Sequence, residues 1–157
     1  MVRKSDVTGQ NFARSALECG GLTPLFDPCN PWLLFTMAKR ALYEKLVADA
    51  KKKITEISPQ DAAARSKSGE AVIVDVRDKD EWDEEQIPGA IHWSRGTIEL
   101  DIKEKVPDTN AMIVCHCGGG GRSALAAESL QKMGYKNVRS IAGGLKAWKA
   151  TGLPVTK

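Results

Sequence analysis

The sequence has no long apolar run, no excess of one charge and no cysteine framework, and each lack removes a class of protein. Its best apolar run, Trp32-Leu33-Leu34-Phe35, is four residues long, far short of the ~20 that a membrane-spanning helix needs. Arg3 and Lys4 stand near the start, but no continuous apolar region follows them, which argues against a signal peptide. The 23 basic and 20 acidic residues leave a net charge of only +3, and they are mixed except at Lys51-Lys52-Lys53. That balance gives no electrostatic footprint for nucleic acid, and a three-lysine run is most simply a solvated helix end. The four cysteines, at 19, 29, 115 and 117, do not have the spacing of a stapled secreted domain. Free thiols in a reducing, cytoplasmic setting are the expectation. No internal repeat or low-complexity tract interrupts the chain.

What remains is an ordinary globular composition, 42% hydrophobic and 27% charged over 157 residues. This is enough for one domain with a real core, plus an extension. Residues 1–29, with Gly9, Gly20, Gly21, Pro24 and Pro28, read as loop or a partly ordered extension. Asn30-Pro31 then has the form of a helix start, an N-cap followed by proline in the first turn. Leu34, Ala38, Leu42 and Leu46 recur behind it at helical spacing, which predicts one amphipathic helix over about 31–52. Its apolar stripe is expected to pack on the main domain; a dimer or partner contact is the alternative. Residues 1–53 therefore form an N-terminal extension and 54–157 the main domain.

From Ile54 onward short strands and helices alternate. Strands are expected at 54–57, 71–76, 90–92, 112–115 and 138–141. Helices are expected at 58–67, 79–85, 98–106, 123–133 (Ala126, Ala127, Leu130 and Met133 inward) and 145–150. Ala71–Val76 and Met112–Cys115 are continuous apolar runs, as strands covered on both faces require. Such alternation predicts an α/β fold: a mostly parallel central sheet of about five strands with helices on both faces.

The stretch that carries chemistry is Cys115-His116-Cys117-Gly118-Gly119-Gly120-Gly121-Arg122-Ser123, between a buried strand and a helix. Ligands of open parallel sheets gather at the carboxyl ends of strands. A helix start offers free N–H groups and the positive end of its dipole. The four glycines allow tight bending, with several residues free to take positive φ, so that successive N–H groups form an anion nest. Arg122 adds a fixed cation. This setting favours the thiolate, the nucleophilic form of cysteine. Cys117 opens the loop, separated from Arg122 by four residues, whereas Cys115 falls inside the strand. Cys117 is thus the expected nucleophile. Cys115 is expected to be a small buried hydrophobe, with a resolving role toward an oxidised Cys117 as its other reading.

Residues 113–123 resemble the active-site segment of the rhodaneses, the sulfurtransferases. Val74-Asp75-Val76-Arg77, Glu81-Trp82 and Ile87-Pro88-Gly89-Ala90 resemble the first rhodanese signature, and Gly143-Gly144-Leu145 with Trp148 the C-terminal one. All stand in family order over about 54–155. The resemblance implies a thiosulfate sulfurtransferase (rhodanese) type of enzyme with a rhodanese-like domain. Cys117 would accept a sulfane sulfur from a donor such as thiosulfate, carry it as a persulfide and pass it to cyanide or a cellular thiol. Gly118, Gly119, Gly120, Gly121, Arg122 and Ser123 would bind substrate, with no metal or organic cofactor. Two departures stand out. Glu85-Gln86 replaces the Gly-His that family members often carry before Ile-Pro-Gly-Ala, and the loop interior is all glycine, where many relatives place the side chains that choose a substrate.

Three other readings compete with this one. His116-Cys117 imitates the start of a tyrosine phosphatase loop, as in phosphatases or arsenate reductases of related fold. Those loops hold five residues between cysteine and arginine, and this one holds four. A non-catalytic binding or regulatory module is the second alternative. Zinc on Cys115, His116 and Cys117 fits no common ligand spacing. Asp75 is expected to brace the active-site region, Arg77 to pair with Glu81, and His92 and Arg95 to line the entrance, with Arg95 attracting anions. Trp148 is expected to anchor the last helix. The sequence predicts small-molecule sulfur donors and acceptors as partners, with no nucleic acid or membrane, and leaves a dimer or protein partner open at the N-terminal helix.

Overall fold

The computed structural model describes residues 31–157, with side chains described from residue 40. The reading of 1–29, the Asn30 cap, Cys19 and Cys29, and the side chains of Leu34 and Ala38 lie outside the described residues.

The element order is α1 (Pro31–Lys51), β1 (Thr55–Ile57), α2 (Pro59–Lys67), β2 (Ala71–Asp75), α3 (Lys79–Glu84), β3 (Ile91–His92), α4 (Ile98–Lys105), β4 (Met112–His116), α5 (Gly121–Lys132), β5 (Asn137–Ile141) and α6 (Gly144–Ala150). Local chemistry sets several boundaries. The Ser58 hydroxyl accepts from the Asp61 amide, and Pro59 occupies the first turn of α2, where its missing N–H costs nothing. Glu81 Oε2 accepts from the Asp78 amide at the start of α3, which holds the Glu81 carboxylate in place.

The strands form one parallel sheet in the order β1-β5-β4-β2-β3. Alternation along each strand divides the core in two. Val74 and Val76 of β2, Ile113 and Cys115 of β4 and Val138 of β5 pack with Ala50 of α1, Ile98 and Ile102 of α4, and Ala124, Ala126, Ala127 and Leu130 of α5. Ala71, Ile73, Val114 and Ile141 face the other way and pack with Ala62 of α2 and Leu145 and Trp148 of α6. Helices therefore cover both faces, with β4 at the centre and β5 and β2 on either side of it. The two strands that read as continuous apolar runs are both interior strands. Trp148 does anchor α6: it is buried, and its indole N–H donates to the Pro154 carbonyl at 2.9 Å.

Two packing expectations are corrected. The described part of the predicted α1 stripe points outward, with Leu42 66% and Leu46 61% exposed. The inner face is made instead by Val47 and Ala50, and Lys53, just past the helix, reaches Glu128 of α5 at 2.7 Å. Four-residue steps overshoot the 3.6-residue turn, so a strict i+4 row drifts around the helix rather than following one face. Met133 is likewise not inward: it caps the end of α5 and is 43% exposed.

Candidate active site around Cys117

The strand β4 ends at His116, and Cys117 is the first residue beyond it. Its side chain is buried at the edge of the α5-side core. The chain turns through Gly118 and Gly119 to Gly120, the N-cap of α5, where φ is 91°. This is the one positive φ between Cys117 and Arg122, so the expectation of several such residues is corrected. The turn brings the Gly120 N–H to 3.1 Å from Cys117 Sγ, as a donor to sulfur. Sγ also lies 3.7 Å from Ser123 Oγ in the first turn of α5, and Ser123 Oγ is 2.9 Å from Ser140 Oγ of β5. Both serines are fully buried. The sulfur thus sits at the positive end of α5, against one backbone donor and a two-hydroxyl chain. Ser140 was not foreseen; in a strand that also carries Asn137 and Arg139, a serine gives no signal of its own.

The loop is closed from behind by α6. The Leu145 N–H donates to the Cys117 carbonyl at 2.7 Å, and the Lys146 N–H to the Gly118 carbonyl at 3.1 Å. Gly144 makes this approach possible. A side chain there would strike the Cys117 carbonyl oxygen and come within 2.9 Å of the Gly120 nitrogen. The Gly143-Gly144-Leu145 motif is therefore a wall of the site.

Arg122 extends from α5 to Glu81, with Nη1 and Nη2 at 2.5 and 2.9 Å from the two carboxylate oxygens, and Nη1 lies 3.3 Å from Asp78. The hydrogen bond from Arg122 is the main cause that holds the Glu81 carboxyl below its ordinary range. The expected Arg77–Glu81 pair is not formed. Arg77 instead turns back on its own strand: Nε and Nη2 each lie within 2.9 Å of Asp75 Oδ2, and Nη2 donates to the Glu85 carbonyl. Asp75 and Arg77 are both buried, with His116 Nε2 3.5 Å from Asp75. Burial pushes the His116 imidazole down to about 4, against the opposing pull of Asp75. Asp75 thus braces β2 and α3 beneath the site without facing the loop. Arg95 does not line the entrance either; it is held by Glu99 at 2.6 Å and Ser129 at 3.1 Å. His92 Nε2 donates to the Arg77 carbonyl at 2.9 Å and stacks on Trp82, a structural role. Cys115 is sealed in the core, where burial raises its thiol to about 12.

An open cavity of about 360 Å³ gives access to the sulfur. Its lining is Cys117, Gly119, Gly121 and Arg122 from the loop, with Tyr43, Val47 and Lys51 from α1. The α1 contribution was missed, because the outward leucine row drew attention to the opposite face. A larger apolar cavity between α2 and α6 contains none of the loop residues.

The rhodanese-like domain model matches residues 58–151, more than half of the chain, and the chain belongs to that family. It is 36% identical over 95 residues to "Thiosulfate sulfurtransferase GlpE" of Coxiella burnetii, covering 60% of this chain and 87% of that protein. It is 33% identical over 96 residues to "Putative sulfur carrier protein YrkF" of Bacillus subtilis, of which it spans only about half the length (51%). A Rhodopseudomonas palustris protein of unknown function, described as a "Possible Tyrosine Phosphatase", superposes with a TM-score of 0.65 at 35% identity, over 73% of this chain and 93% of that one. Rhodanese family membership, with relatives named as sulfurtransferases, supports a transferase of this family. No described helix is long and apolar enough to cross a membrane.

Proposed function

We propose that the protein moves a sulfane sulfur through a persulfide on Cys117, from an anionic donor such as thiosulfate to a thiophilic acceptor, in a reducing compartment. The observation that carries this reading is the Gly120 N–H donated to Sγ at 3.1 Å, at the floor of a cavity reached past Gly119, Gly121 and Arg122. In the first step the Cys117 thiolate attacks the outer sulfur of thiosulfate. A Cys–S–S bond forms, the donor's S–S bond breaks, and sulfite leaves with the electron pair. In the second step cyanide or a cellular thiolate attacks the outer sulfur, and Cys117 leaves as thiolate. Both thiolate and persulfide are anions, so one set of donors serves the whole cycle. With Cys117 ionised, Ser123 donates to the sulfur and Ser140 to Ser123. Arg122, tied to Glu81, fixes the start of α5 and places a cation beside the cavity.

The four-residue interval between Cys117 and Arg122 favours a single sulfur over the tetrahedral oxyanion of a phosphatase. The test is intact-mass measurement after thiosulfate, followed by transfer to cyanide, on wild type, Cys117→Ser and Cys115→Ser. One added sulfur on wild type and Cys115→Ser but none on Cys117→Ser is the expected result. No added sulfur on wild type favours a binding module; Cys117-dependent turnover of an aryl phosphate favours the phosphatase.

A further inference from the structure

The cavity between α2 and α6 lies on the other face of the sheet from the Cys117 side chain. Ile73 of β2 lines it and belongs to the core under α2 and α6, whereas Cys117 belongs to the core under α5. Short side chains leave the space open. From α2 the lining holds Ala63 and Ser66. Across from them, a methyl group on Gly89 would meet no atom within 4 Å. The resulting volume of about 580 Å³ is that of a small-molecule site.

The lining divides into two parts. One is apolar and rigid, made by the Trp148 ring, Pro88 and Pro154. The indole N–H of Trp148 is already satisfied by the Pro154 carbonyl at 2.9 Å, so the ring offers only apolar surface. The other part is polar and sits at the last turn of α2, where Ser66 and Lys67 are adjacent. Lys67 is the one charged lining residue, and among the described residues it makes no ion pair. Glu70, the carboxylate nearest to it in sequence, is held by Arg65. An unpaired cation beside a slot walled by an indole and two prolines complements a planar ring that carries an anionic group.

We infer that this cavity is a binding site for a small aromatic carboxylate, with the ring against Trp148 and the prolines and the carboxylate on Lys67. Occupancy reaches the reactive loop through α6. Trp148 stands three residues after Leu145, on the same side of the helix. The Leu145 and Lys146 N–H groups are the ones bonded to the Cys117 and Gly118 carbonyls. A ligand that shifts the Trp148 ring shifts α6, and with it those two bonds. The cavity is therefore an effector site separate from the sulfur, and it does not depend on what Cys117 carries.

The test follows amide NMR shifts of the isotope-labelled full chain during titration with naphthaleneacetate and with its neutral amide, naphthaleneacetamide. Saturable binding is expected, with the carboxylate bound about fivefold tighter than the amide, the effect of one solvent-facing ion pair. Shifts are expected at the Trp148 indole N–H, at Gly89 and at Lys67, and through α6 at the Leu145 and Lys146 amides. Lys67→Gln should abolish the preference for the carboxylate, and Lys67→Arg should restore it. Ala63→Phe fills the slot from α2 and should weaken both ligands by about tenfold or more. Thermal unfolding verifies that each variant is folded, and the two Lys67 variants decide the matter if Ala63→Phe does not fold. No saturation by either ligand, equal affinity for both, or a preference unmoved by Lys67→Gln overturns the site. So do shifts that fall outside the cavity lining and α6. Binding that leaves the Leu145 and Lys146 amides unshifted overturns the connection to the loop.

Discussion

Replacing Gly144 by alanine tests whether α6 holds the reactive loop in shape. Gly144 has φ of 58°, a left-handed backbone that costs a residue with a Cβ about 1–2 kcal/mol. The new methyl would also strike backbone, the Cys117 carbonyl and the Gly120 nitrogen, neither of which can swing aside as a side chain tip can. Relief requires α6 to withdraw, and this breaks the Leu145–Cys117 and Lys146–Gly118 hydrogen bonds, at about 1 kcal/mol each. The total is roughly 3–4 kcal/mol, a large part of the 5–15 kcal/mol typical of a domain. Urea unfolding should show it as a midpoint lowered by about 1.5–2 M at a slope of roughly 2 kcal/mol/M. Two controls separate the causes. Gly152→Ala has a similar φ of 73° and open space, so it isolates backbone strain at about 1–2 kcal/mol. Gly119→Ala has open space and no positive φ, and should change stability by no more than about 0.5 kcal/mol in either direction. The reasoning fails if Gly144→Ala is no more destabilising than Gly152→Ala.

Two further predictions concern the buried polar cluster beneath the loop. Asp75→Ala leaves the Arg77 guanidinium buried without its carboxylate and should cost about 3–5 kcal/mol in urea unfolding; a loss below about 1 kcal/mol would mean that the ion pair is not what holds Arg77 there. His116 has a native value near 4 against about 6.5 when unfolded, so the unfolded chain binds the extra proton first as pH falls. Stability contributed by neutral His116 is complete above about pH 6.5 and is lost progressively down to about pH 4, at most about 3 kcal/mol. His116→Asn should therefore flatten the pH dependence of unfolding over that window, and an unchanged slope would refute the assignment.

The parts of the molecule most legible in the sequence are those where one strong local rule acts alone. The apolar runs 71–76 and 112–115 fit strands covered on both faces, and the glycines directly after Cys117 fit a turn, so the sulfur's position at a strand end followed. Side-chain partners were less legible, because several satisfied the same local rule. Arg77 had Glu81 one helical turn away on paper, yet Asp75, two residues back on a buried strand, gives it a carboxylate sealed from water, while Glu81 is turned by its capping bond toward Arg122. On α1 the leucine row was the louder signal, and the quieter set of Tyr43, Val47 and Ala50 makes the contacts. Ser140 and Gly144 entered the site through tertiary approach alone, which no spacing within a single element encodes.

The overlap of Tyr43 with the vacant Cβ position of Gly121 links two places far apart in the chain. A homologue with a side chain at 121 needs a smaller residue at 43 or a helix that docks elsewhere, and one that loses the aromatic ring is released from glycine at 121. The last of the four loop glycines is thus answerable to the N-terminal helix and not to the sulfur. In a set of aligned relatives, positions 43 and 121 should change together, while 120 and 144 stay glycine whatever precedes the domain.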